Sequence, residues 1–509
     1  MSNALKAALA ASLENDGAVD ENSVVAEVLE EIVAVSEQEI PDPQAVIEAA
    51  QQSTDIAEVL EVIADNAVAA VEPEADGMTQ NEEQQSVAVE SAAFALNMVL
   101  SSHGVRLKSD SMESDSVKGR AARVAAIATD AAIGARENLS ASVEAFATDV
   151  RETVQDQLKV LGKSRSAIQA AIAKISSKSK ELDANGVTLN YKGIYDFLHR
   201  GGAPVTSLKD ALKEDIKFLQ DLKGSINDLS KDYTAAVSKA DGTSEEGVKK
   251  FADAISQMSW QSEMGKYEGR SLLGNGLVTT EAGDMGVYGT YVAMDIDYGT
   301  TDNDGSRTST GRRLWGATKG GALGGLLGGM AGAMLGGAFG VPGVGLVVGG
   351  ALGAAPGAAM GAKSADYKER GSKTDVTNSA ADLVAFLKDC LVICDMVSDL
   401  SRLVAIGTED DAKARSFLKS LMATIENKGA MASVAINLVG SIAMNMANNN
   451  RTGYQTLHKT DKQRLQETVT ALLDNAEIGY TSMLQVMATH MLTCVQGSLA
   501  VATKVVEAL

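Results

Sequence analysis

The sequence predicts a mainly α-helical protein, with long Ala-rich helices, a glycine-zipper helical hairpin, and a small loop-rich or β-hairpin insert. Three observations lead there. Apolar residues recur at three- and four-residue intervals along most of the 509 residues. Aromatics make up only 4% and Pro only 6 residues, which favours helices packed through small side chains over a sandwich or barrel. From Gly320 to Ala362 no residue is charged, and glycine falls at every fourth position. A chain of 509 residues exceeds what one core usually serves, so two or three structural units are expected.

Charge is the first organising feature. Of 67 acidic and 45 basic residues, 21 acids and one base, Lys6, lie in residues 1–90, which therefore carry −20 of the formal net charge of −22. Such asymmetry marks a segment with a role of its own. Within it, SVVAEVLEEIVAVSEQ and QAVIEAAQQSTDIAEVLEVIADNAVAAV have helical periodicity on either side of Pro41 and Pro43, and PEADGMTQNEEQQ, from Pro73, has no apolar stripe and reads as a linker. A boundary near residue 90 follows. Residues 1–90 are expected to be an acidic helical propeptide, and 91–264 a helical domain. Inside that domain the stretch from Gln157 to Lys180 has cations but no acid.

Residues 265–319 change to Gly, Tyr, Thr and Asp, with GVYGTYVAMDIDYG as the strand-like stretch, and form the expected loop-rich insert. Residues 320–362 are the zipper, and 363–509 a C-terminal helical domain. The Met-rich stripe of the final helix reads as adaptable core.

The zipper has two runs, Gly320, Gly324, Gly328, Gly332, Gly336 and Gly340, then Gly345, Gly349, Gly353, Gly357 and Gly361, separated by a turn at Pro342. Residues four apart share a helix face, and glycine there lets another backbone approach closely. In water each Gly costs a helix roughly 1 kcal/mol relative to Ala, so the hairpin needs a bilayer or burial in a helical assembly. Arg312, Arg313, Trp315 and Lys319 before it, and Lys363, Tyr367 and Lys368 after it, would suit a membrane interface, with both ends on one side.

No catalytic pattern emerges, and the expectation is a non-enzymatic protein without cofactor or metal. Gly162-Lys163-Ser164 has Gln157 where a P-loop needs Gly. Asp302, Asp304 and Gly305 have calcium-loop spacing, but Thr300 and Gly311 stand where acids are required, so a surface turn is expected. Cys390, Cys394 and Cys494 are too few for a disulfide framework, and the first two read as buried small hydrophobes. His103, His199, His458 and His490 are scattered, without motif partners. Lys159, Lys163, Arg165, Lys174, Lys178 and Lys180 are candidates for contact with DNA phosphates, although no aromatic accompanies them and a solvated face is the plainer reading. The short apolar run Ala7 to Leu13 meets Glu14 and Asp16, which makes a poor signal peptide, so synthesis in the cytoplasm is expected.

At the charge boundary stand Ala88-Val89-Glu90 and then Ser91-Ala92-Ala93. This resembles the Ala/Ser-x-Glu sites cut by prohead proteases of giant phiKZ-like tailed phages, and the layout resembles that of their internal head, or ejection, proteins. Ala70-Val71-Glu72 is a second copy blocked by Pro73, while Ser111-Met112-Glu113 and Ala135-Arg136-Glu137 also match. The resemblance implies cleavage behind Glu90 and a structural virion protein inside the capsid. Its implied partners are other head or core proteins, the prohead protease, genomic DNA and, after ejection, the host inner membrane, with homo-oligomerisation. The alternative class is a bacterial pore-forming toxin or secreted effector that uses the same hairpin.

Overall fold

The computed structural model describes residues 21–36, 43–71, 82–102, 116–190, 197–201, 203–240, 250–251, 254, 258, 260–284, 290–298, 300–301, 307–308, 375–427 and 461–507. The fold is mainly α. Helices α1 (Glu21–Ser36), α2 (Pro43–Ala69) and α3 (Glu82–Ser102) lead into α4 (Val117–Ser177). Then come α5 (Ser179–Asn185), α6 (Lys213–Ser238) and α7 (Trp260–Gly265), followed late in the chain by α8 (Ala380–Asp395), α9 (Val397–Asn427) and α10 (Asp461–Glu507).

The 61 residues of α4 span about 90 Å. Ser116 starts the helix, its hydroxyl accepting the Gly119 N–H at 3.0 Å as an N-cap. Ala121, Val124, Ala128 and Ala132, then Val143, Ala147, Val150, Val154, Leu158 and Leu161, are buried at helical spacing and form a stripe along the rod. The N-terminal half of that stripe packs with α2 and α3 around Leu60, Ala64, Leu96 and Val124. Its C-terminal half joins the main core with α1, α6, α8 and α10.

α10 is buried on nearly every side from Ala471 to Ala502, with Met483, Met487 and Met491 fully enclosed. Its segment Thr470–Val505 is long and apolar enough to cross a membrane, yet 78% of its most apolar window lies inside the molecule, as expected of a core helix. Aromatic rings seat on its small residues and those of its neighbours. A Cβ at Gly407 of α9 would overlap the ring of Tyr480, whose hydroxyl donates to the Leu403 carbonyl. At Gly479 and Gly497 a Cβ would come within 2.9 Å of Trp260 and Phe197.

The strands are few. β2 (His199–Arg200) pairs with β3 (Ala203–Pro204). β4 (Ser271–Leu272), β5 (Gly276–Asp284) and β6 (Thr290–Asp297) form an antiparallel meander in which Val278 faces Ile296 and Thr280 faces Met294. The strand-like stretch of the sequence is β6, and the insert is a hairpin on the helical core. β7 (Thr300–Thr301) and β8 (Arg307–Thr308) flank the calcium-like spacing as an antiparallel pair. The glycine zipper lies outside the described residues. β9 (Asp375–Asn378) pairs antiparallel with β1 (Val187–Asn190) and leads into α8 through a capping box of Ser379 and Asp382.

The boundary expected at residue 90 falls inside α3, and a hydrophobic core of residues 57–132 crosses it. Glu82 and Glu83 in the first turn of α3 suit a helix N-terminus, which is why a stretch without an apolar stripe can open a helix. Likewise 363–509 is not separate from 91–264, because α8, α9 and α10 share the core of α4 and α6.

Gly407→Ala is expected to lower stability by about 1–3 kcal/mol, because the Tyr480 ring must move. Gly224→Ala, in α6 with open space around its Cβ position, should instead raise it by about 0.5–1 kcal/mol. Chemical denaturation of the two variants measures both; equal midpoints would contradict the seating of Tyr480.

Candidate functional sites

The four residues of the expected cleavage motif are helical. Val89 is 2% exposed, packed with Ala70 and Ala121, while Glu90 faces outward. Glu90 Oε1 lies 3.4 Å from Arg120 of α4, and Ser91 Oγ donates to the Val87 carbonyl at 2.8 Å. Two further pairs tie the acidic segment to the same helix. Glu61 pairs with Arg136 at 2.9 Å, both side chains about nine-tenths buried, and Glu31 pairs with Lys163. The apolar faces accompany these pairs: Val25 and Ile32 of α1 and Val46, Ile47 and Ala50 of α2 belong to the main core. The acidic segment is therefore docked on α4 by both apolar and ionic contacts.

The six candidate DNA-contact residues sit where α4 ends and α5 begins. Lys163 is held by Glu31, Arg165 by Asp395 and Lys159 by Asp156 at 2.6 Å. Lys180 is exposed, and Lys174 and Lys178 are half-buried. Lys159, Lys163 and Arg165 thus have carboxylate partners that a phosphate would have to displace.

Among the described residues two polar centres lie inside the core, and no sequence motif marks either. The first joins the first turn of α6 to α10. His490 Nε2 is 2.8 Å from Asp215 Oδ1 and 3.5 Å from Cys494 Sγ, while His490 Nδ1 is 2.6 Å from the Tyr298 hydroxyl. Asp215 also accepts the Leu273 N–H at 2.8 Å and the Arg200 guanidinium, which in turn donates to the Ala211 and Ser271 carbonyls at 2.8 and 3.1 Å. Burial works against the Asp215 carboxylate, but His490, Arg200 and the Leu273 N–H together hold it below the usual carboxylate range. Burial, with Asp215 nearby, pushes the Cys494 thiol well up. Although Cys, His and Asp are together, this is not a nucleophile relay. A relay needs thiol and carboxylate on opposite ring nitrogens, and here both face Nε2. The donor atoms of Asp215, His490 and Cys494 all lie within 4.8 Å of one another, a grouping that can hold a metal ion. Cys390 and Cys394 are buried small side chains of α8, as expected.

The second centre joins α4, α9 and α10. Arg415 contacts Asp411 at 3.5 Å, Asp474 at 3.4 Å and Glu477, and Arg151 contacts Glu477 at 3.4 Å and Asp411 at 4.0 Å. Ser140 donates to Asp474 at 3.1 Å, and Thr234 of α6 donates to the adjacent Asp410, which Lys413 also approaches at 3.6 Å. Three carboxylates thus meet two largely buried guanidiniums, with Asp410 beside them. Burial pushes Asp474 up to about 7, against the pull of Arg415 and Ser140. Glu477 rises to about 8, through burial and then through the Asp411 carboxylate beside it. The centre has the chemistry of a buried ionic clamp. Comparison with protein-family models, curated proteins and solved structures gave no match to this chain.

In the unfolded chain these two carboxyls lose their protons near pH 4, whereas in the folded protein they keep them until pH 7–8. Their contribution to stability is therefore full below about pH 4 and is lost as pH rises through 7–8. Thermal melts should show stability falling between pH 5 and 8.5, with a shallower fall in Asp474→Asn/Glu477→Gln; a fall of the same size in that variant would contradict the assignment. Arg415→Leu should cost roughly 3–5 kcal/mol at pH 8, because it strands ionised carboxylates in the core.

Proposed function

We propose that the chain is a structural internal virion protein of a giant tailed phage, packaged in the head and ejected with the genome, with residues 1–90 as a removable acidic clasp on α4. The observation that carries this reading is the docking of the −20 segment on α4 through Glu31–Lys163, Glu61–Arg136 and Glu90–Arg120, together with apolar faces. While the clasp is in place, those three cations are neutralised by the chain's own carboxylates. The charge of the segment also keeps the chain soluble and packaged DNA at a distance during head assembly. Cleavage behind Glu90 separates that glutamate and everything before it from the body. Arg120, Arg136 and Lys163 are then available to phosphates or head proteins, on a rod whose N-terminal apolar face has lost one cover.

Because Val89 is buried in a continuous helix, the prohead protease acts on an opened α3. In this reading processing comes before α3 closes on α4, or during its transient opening. The glycine-zipper hairpin expected from the sequence between β8 and β9 is the element that enters the host membrane after ejection. Close helix packing through its eleven regularly spaced glycines would hold a homo-oligomeric passage together. No residue performs bond chemistry in this scheme.

Mass-spectrometric mapping of the N-terminus tests the reading in purified native particles. The expected protein begins at Ser91 and lacks the acidic segment; abundant peptides from residues 15–85 in virions would overturn the processing step.

A further inference from the structure

The geometry points to a structural site for a divalent transition metal of the zinc class, built from Asp215 Oδ1, His490 Nε2 and Cys494 Sγ, that clamps α10 to the start of α6. This is independent of the phage reading, since it concerns how the core is closed and not where the protein acts.

The donor set is one carboxylate oxygen, one imidazole nitrogen and one sulfur, the borderline mixture that zinc prefers to calcium or magnesium surroundings. His490 and Cys494 are four residues apart and share one face of α10, and Asp215 enters from a separate helix. In a tetrahedral zinc shell, adjacent donors stand roughly 3.3–3.6 Å apart. Cys494 Sγ is already 3.5 Å from His490 Nε2, and the Asp215–His490 contact at 2.8 Å needs to open only slightly. All three residues are at most 1% exposed.

Hydrogen bonding satisfies His490 when Nε2–H donates to Asp215 and the Tyr298 hydroxyl donates to Nδ1, but Nε2 then has no lone pair for the Cys494 thiol 3.5 Å away. A cation engages all three atoms at once. With the metal on Nε2, Nδ1 bears the proton and donates to the Tyr298 oxygen at 2.6 Å, the usual orienting contact of a metal-bound imidazole. Arg200 and the Leu273 N–H fix the carboxylate in the same way. The charges also close. A dication offsets the Asp215 carboxylate and the Cys494 thiolate, whose proton leaves to solvent, while Arg200 has Glu214 at 3.2 Å.

The test uses the full chain, prepared with chelator, and Zn²⁺ or Co²⁺ alone as probe. Equilibrium dialysis should give one bound metal per chain. The Co²⁺ form should show a near-ultraviolet thiolate-to-metal charge-transfer band, kept in Cys394→Ser and lost in Cys494→Ser. Zn²⁺ should raise the wild-type melting temperature by several degrees, reversibly with chelator. A wild-type chain that retains no metal, a melting temperature indifferent to Zn²⁺, or a charge-transfer band that survives in Cys494→Ser would each overturn the site and leave a hydrogen-bonded core. The dialysis and melting results on wild type decide the matter even if a variant fails to fold.

Discussion

The buried stripe of α4, from Ala121 to Ile175, must be covered along its whole length, and the elements that cover it set the architecture. A helix of about 90 Å cannot find one partner long enough, so the burden is shared. Near its start the partners are α2 and α3, through small and branched residues such as Ala57, Leu60, Ala92 and Leu96. Towards its end they are α1, α8 and α10. Two of these covers belong entirely to the acidic segment. The −20 segment is thus not a tail beside the fold but part of what completes it, and its glutamates fall against the cations of the helix that it covers.

Apolar packing leaves a different problem at α10. A helix enclosed on nearly all sides has no solvent face to define its rotation, and side chains such as Met483 and Met487 adapt to many arrangements. Its polar residues supply direction. Asp474 and Glu477 meet Arg415 and Arg151 near one end, and His490 and Cys494 meet Asp215 near the other. Each contact is short-ranged and depends on angle, so together they tie α10 at two points, to α9 and α4 and to α6. Placing charge in a core is costly unless every partner is present. That is why these groups are gathered into two centres and not spread along the helix.

The helices of this fold are visible in the sequence because their stripes are regular. The apolar spacing of Phe218, Leu222, Ile226 and Leu229 marks α6, and the aromatic and branched run TYVAMDID before residue 300 marks β6. The boundary at residue 90 was misleading for a physical reason. A change in charge density reports how a surface is solvated, whereas Val89 and Ala92 continue an apolar stripe across that point. The polar centres were invisible because Asp215 and His490 are 275 positions apart. The one local sign was the pair His490 and Cys494, four apart on a helix, which carries no weight until a third donor is found. The cations from Lys159 to Lys180 read as a free basic face, yet the acids that pair with Lys163 and Arg165 come from α1 and α8.

The claim that the acidic segment is an integral cover of α4 is tested most directly by amide hydrogen exchange on the intact chain. Peptides from Pro43–Ala69 should be protected and should open together with the N-terminal half of α4, as parts of one cooperative unit. Complete exchange of Pro43–Ala69 within seconds, while residues 120–147 of α4 stay protected, would contradict it.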